Sequence, residues 1–90
     1  MLELYETTQF KKDLKRVLRR KLPIHILNEV ILMLRQERAL DPRYCDHALT
    51  GKFKGLRECH LQPDWLLIYG VDKDKLVLTA SRTGSHSDLF

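Results

Sequence analysis

Residues 56–80 read LRECHLQPDWLLIYGVDKDKLVLTA, and within them lie three apolar-rich runs: LRECHL (56–61), LLIYGV (66–71) and KLVLTA (75–80). Their length and their content of Leu, Ile, Val and Tyr are those of strands. Gln62-Pro63-Asp64 and Asp72-Lys73-Asp74, which part them, are turn formers. Connections this short join adjacent strands only in antiparallel fashion, so the stretch predicts a three-stranded meander.

Upstream, Leu2 to Glu6 (LELYE) alternates apolar and polar residues and predicts a short strand. Thr7 or Thr8 then offers a helix N-cap hydroxyl. Phe10, Leu14, Val17 and Leu18 form one helical stripe, with Lys11, Lys12, Lys15, Arg16, Arg19 and Arg20 on the other side. That basic face reads either as a solvated surface or as a docking surface for phosphate or an acidic partner. Pro23 opens a second helix, whose broad face of Ile24, Leu27, Val30, Ile31 and Leu34 runs to about Arg38 and leaves Leu32 on the polar side. Leu40-Asp41-Pro42 ends it. Residues 41–54 (DPRYCDHALTGKFK) show no period and predict the longest loop, a feature often functional in compact domains. The order is β-α-α-β-β-β. The fold class is α+β: a helical hairpin packed on one face of a mainly antiparallel sheet.

Ninety residues make one domain with one modest core. No apolar run approaches the ~18 residues that span a bilayer, and the acidic N-terminus is unlike a signal peptide. Cys45 and Cys59 lack CxxC spacing and read as reduced thiols of a cytosolic protein. The net charge of +4 permits an RNA, DNA or acidic-protein partner and lies in the N-terminal half. Residues 1–40 carry nine Lys/Arg against five Asp/Glu, whereas residues 41–90 carry seven of each.

The polar residues unusual for a scaffold fall in the second half: Asp46-His47, His60, Asp64-Trp65, Arg82 and His86. Each has a bland reading as a turn cap, a sheet-surface residue or half of an ion pair. Taken together they suit the cleavage of RNA, which supplies its own nucleophile, the 2′-hydroxyl. Imidazoles move protons near neutral pH, a guanidinium binds phosphoryl oxygens in two-pronged fashion, and Trp65 or Phe90 offers a surface for a base. A metal site competes for the same residues. However, His60 and Asp64 straddle Pro63 and the cysteines lack zinc-finger spacing, so neither metal nor cofactor is expected. His25 reads as a surface residue. Arg82 shares the parity of Leu76, Leu78 and Ala80, so either the last strand stops before Ser81 or a bulge re-aims it.

The spaced element D-H-x-L-x-G-x-F-K-G-x-R-x-x-H-x-x-P-D-W (46–65) and the tail R-x-G-x-H (82–86) resemble the YafQ group of the RelE superfamily, toxins of bacterial type II toxin–antitoxin pairs. The resemblance covers about half the chain by motif. It implies a RelE-like fold and a ribosome-dependent endoribonuclease that cleaves messenger RNA and is silenced by an acidic, partly disordered antitoxin. His47, His60, Asp64 and His86 would then form the acid/base set, with His60 or Asp64 favoured as base and His86 as acid. Arg82 would stabilise the phosphate, while Lys52, Lys54, Trp65 and Phe90 would hold substrate. The rivals are a gyrase-directed, non-enzymatic toxin of the same fold, resembling the ParE branch, and a plain nucleic-acid-binding module.

Overall fold

In the computed structural model, which describes all 90 residues, the short N-terminal strand β1 (Glu3–Glu6) leads directly into α1 (Thr8–Arg19). Thr7 is the cap. Its Oγ1 accepts from the Phe10 amide at 3.0 Å and donates to the Ser81 carbonyl at 2.8 Å, tying the helix start to the last strand. After a tight connection, α2 (Ile24–Arg35) begins behind Pro23. It ends one turn short of the predicted limit, because Glu37 takes a left-handed conformation (φ 57°).

The predicted long loop holds two 3-10 turns, at Pro42–Tyr44 and Gly51–Phe53, and between them a two-residue strand, β2 (His47–Ala48). The meander follows as β3 (Arg57–Gln62), β4 (Trp65–Asp72) and β5 (Val77–Gly84), and α3 (His86–Leu89) closes the chain. The five strands run β1-β5-β4-β3-β2, all antiparallel except the β1–β5 pair. Two strands and a helix were thus absent from, or shorter in, the sequence expectation: β2, the last four residues of β5, and α3.

Trp65 to Val71 is an almost unbroken apolar run, the pattern of a strand covered on both faces. On one face, Trp65, Leu67 and Tyr69 meet Phe10, Val17, Leu27, Val30 and Ile31 of the helical hairpin, forming the main core. On the other, Leu66 and Ile68 pack with Leu89 of α3 and with Leu49, Phe53 and Leu56. This small second core fixes the C-terminal helix over the sheet. The face beside it bears His47, Glu58 and His60.

Candidate active site

Strand register decides which side chains share that face. His47 lies opposite Glu58, Glu58 opposite Ile68 and Ile68 opposite Arg82; in the next row, His60, Leu66 and Gly84 are neighbours. Side chains directly opposite one another point to the same side of a sheet. His47, Glu58 and His60 therefore converge on the face away from the hairpin, with His47 on the edge strand β2.

Glu58 is the centre of the cluster. It is 5% exposed, and its Oε2 lies 3.1 Å from His47 Nε2 and 3.8 Å from His60 Nε2. Its Oε1 is buried with no hydrogen-bond partner. A buried carboxylate oxygen left bare is costly and rare outside functional sites. The other nitrogen of His47, Nδ1, is 2.7 Å from the Cys45 carbonyl. A carbonyl only accepts, so this contact places a hydrogen on Nδ1, and Nε2 faces the Glu58 carboxylate.

His86 is the first residue of α3, held above His60 with ring centroids 5.7 Å apart; His47 and His60 are separated by 6.3 Å. Asp64, in the β3–β4 turn, receives both the His86 amide and its Nδ1 on Oδ1, each at 3.1 Å. Those bonds from the amide and then the ring hold the Asp64 carboxyl below the usual carboxylate range. An ionised Asp64 fixes the ring so that Nδ1 donates and Nε2 faces outward. Phe90 stands 58% exposed beside the cluster, edge-on to Phe53 at 5.4 Å and 6.3 Å from the His86 ring. Lys52 Nζ lies over the Phe53 ring at 5.3 Å, and Lys54 is exposed nearby in the chain.

Three expectations need correction or sharpening. Trp65 is 1% exposed in the main core, where its indole donates to Thr83 Oγ1 at 3.0 Å, so it offers no surface for a base. Its large ring serves packing instead. Arg82 is re-aimed by a bulge: Tyr69 pairs with Ala80 but Ile68 pairs with Arg82, and Ser81 is the extra residue. The Arg82 side chain thus starts from the Ile68 face of the strand. It does not meet the histidines, because Nε and Nη2 bind the fully buried Asp13 of α1 at 2.8 and 3.2 Å. Burial pushes the Asp13 carboxyl up, but hydrogen bonds from Arg82, Gln9 and the Thr83 amide outweigh it and leave the group below its ordinary value. Glu58 and Asp13 were not among the residues singled out from sequence. Asp46 proves a brace, accepting from the Tyr69 hydroxyl and from Arg57, and so fastening the segment that bears His47. Burial pushes the Cys59 thiol up to about 12, and nothing in the site engages it.

The class is that of a small α+β protein, a hairpin-backed sheet with imidazoles and carboxylates gathered on its open face. A profile described as "Bacterial toxin of type II toxin-antitoxin system, YafQ" matches residues 2–90, and the chain belongs to that family. It is 40% identical over 83 residues to the mRNA interferase toxin YafQ of Escherichia coli K12, spanning 91% of this chain and 88% of that one. Among solved structures, a copper-bound mutant toxin from Helicobacter pylori superposes over both whole chains with a TM-score of 0.93 at 48% identity. YafQ in the E. coli DinJ–YafQ complex superposes over 100% of this chain and 99% of that one, with a TM-score of 0.90 at 33% identity.

Proposed function

We propose that this chain is the toxin of a type II toxin–antitoxin pair, acting as a ribosome-dependent endoribonuclease on messenger RNA and so stopping translation. The observation that carries the reading is the convergence of His47, His60 and His86 around the buried Glu58, beside an exposed Phe90. The mRNA interferase activity named for the E. coli relative agrees with it.

In this mechanism the substrate's 2′-hydroxyl attacks the adjacent phosphorus and the 5′-oxygen of the next nucleotide leaves. His60, close to Glu58, takes the 2′-proton. His86, as imidazolium paired with Asp64, protonates the leaving oxygen. Since Oδ1 of Asp64 is already engaged by His86, Asp64 serves to orient and hold charge rather than as the base. His47, held by the Cys45 carbonyl and facing Glu58, lies beside the reacting phosphate. Arg82 keeps Nη1 free of Asp13 and supports the phosphate from the α1 side. Lys52 and Lys54 meet the backbone of the message, and Phe90 stacks on a base.

No set of three or more His, Cys, Asp or Glu side chains is arranged to hold a metal ion, so no step here is routed through one. The products of this route are a 2′,3′-cyclic phosphate, or the 3′-phosphate from its hydrolysis, and a 5′-hydroxyl.

No helix is long and apolar enough to cross a membrane, and the site of action is the cytosol. The partner that silences the toxin is an acidic, partly disordered antitoxin, as E. coli YafQ is found with DinJ. Its seat is the groove of about 290 Å3 between β1, α1 and α2, where Leu18 and Leu32 are exposed. The deciding experiment adds purified protein to a translating extract and maps the 5′-ends of message fragments with and without ribosomes. Intact message in both arms would refute the assignment.

A further inference from the structure

α3 has four residues, far too few to hold together by its own backbone bonds, yet His86 is its first residue and Phe90 follows its last. Its place must be fixed from outside. Leu89 supplies an apolar anchor against Leu66 and Ile68. Asp88 supplies the rest. Its Oδ2 accepts from the Ser85 amide at 2.9 Å, and the Ser85 hydroxyl accepts from the Asp88 amide at 3.2 Å, closing a reciprocal cap around the helix start.

The same carboxylate is gripped from the far end of the chain. Arg20, at the end of α1, places Nη1 2.7 Å from Asp88 Oδ2 and Nη2 3.1 Å from Oδ1, a two-pronged contact, while Arg16 Nη1 lies 3.5 Å from Oδ1. Asp88 is 13% exposed in this grip, so water and salt screen the contact less than an open surface pair. Hydrogen bonding by Arg20 foremost holds the Asp88 carboxyl well below the usual carboxylate range. One side chain thus joins the basic helix to the turn that aims His86.

We infer that Arg20 and Asp88 are positioning residues for His86: their ion pair locks α3 so that the imidazole stands over His60 and against Asp64. Arg20 therefore differs from the other cations of its face. Arg19, exposed on the same turn, only adds attraction for nucleic acid, whereas loss of Arg20 frees the helix that bears a proton-transfer group. A catalytic group displaced by about 1 Å loses up to ~10²-fold in rate. This inference rests on the ribonuclease reading for its kinetic part and on α3 alone for its structural part.

The test compares Arg20→Ala, Arg20→Lys, Asp88→Asn and Arg19→Ala in the full chain. Single-turnover cleavage on programmed ribosomes at saturation should fall about 10- to 100-fold for Arg20→Ala and Asp88→Asn. Arg20→Lys should recover part of it, since charge remains but the fork is lost. Arg19→Ala should alter chiefly the half-saturating concentration. In the free protein, exchange of the Leu89 and Phe90 amides, which bond to the Ser85 and His86 carbonyls, should quicken in Arg20→Ala while β4 amides stay protected. An unchanged saturating rate, or a loss seen only as the shift that Arg19→Ala gives, would overturn the inference. So would unchanged exchange at both amides. If the parent itself left message intact, the nuclease reading would fall, and the exchange comparison would still decide whether the pair orders α3.

Discussion

At the scale of single residues, His60 and His86 are expected to cost most when lost: His60→Ala and His86→Ala should each slow cleavage by about 10²–10⁴-fold while keeping the fold and antitoxin binding. Growth inhibition and thermal melting, measured side by side, check this. Arg82→Lys should cleave poorly although charge is kept, because Lys cannot replace a fork bridging Asp13 and substrate; parental activity would count against a directional role. Asp13→Ala should destabilise the chain by about 3 kcal/mol, the lower end for breaking a buried pair, since Arg82 retains some contact with water. The pH dependence follows from the lowered Asp13 carboxyl. Its contribution is complete above the unfolded value of ~3.9 and is lost as pH falls through that value toward the folded one. Asp13→Asn should therefore flatten the acid limb of a stability–pH curve recorded by denaturant melts. Both overlooked acids left a trace in the sequence. Glu58 has the parity of His60 on one strand, and Asp13 sits three residues from Phe10 and four from Val17, inside an otherwise apolar stripe. A charge at either position needs a partner: Asp13 finds Arg82 from the far end of the chain, and Glu58 finds His47 only once β2 pairs with β3.

Among the elements, β5 and α3 carry the features hardest to foresee. The apolar run that marks β5 stops at Ala80, but the strand continues to Gly84 by pairing with β4 beyond the bulge at Ser81. Alternation failed there because one extra residue flips the parity of everything after it. Deleting Ser81 should shift Arg82 to the opposite face of the strand, breaking the geometry of the Asp13 contact and lowering the melting temperature. Gly84 is the hinge into α3, with φ 154° and its α carbon so close to Asp88 that a methyl group would lie 2.8 Å from Oδ2. Gly84→Ala should cost about 1–3 kcal/mol and reduce cleavage more than it reduces stability-limited expression, as shown by rate per folded molecule. By contrast, the presence and order of the two helices and of the three meander strands were legible. Their apolar periods are long, and the short turns between strands allow one topology.

For the whole molecule, the two faces of the sheet divide the work, with the hairpin side building the core and the far side exposing the histidines. An antitoxin segment seated in the α1–α2 groove would inhibit from behind the site, by bulk. Hydrogen exchange on free toxin and complex should then show protection over residues 10–38 and a sheet edge; protection confined to His47, His60 and His86 would indicate a plug. Cleavage should also survive chelation by EDTA at levels that leave ribosomes intact, and its loss would bring an ion into the reaction. The pairing of β1 with β5 has a bearing on timing. Glu3–Glu6 lines up with Val77–Ala80, so the first strand made must wait for the last, and α3 with His86 comes later still. During synthesis the chain can form its hairpin early, but it cannot close the sheet or place His86 until residues 77–89 have left the ribosome. His86 is therefore set over His60 only once strands from both ends of residues 3–84 have paired.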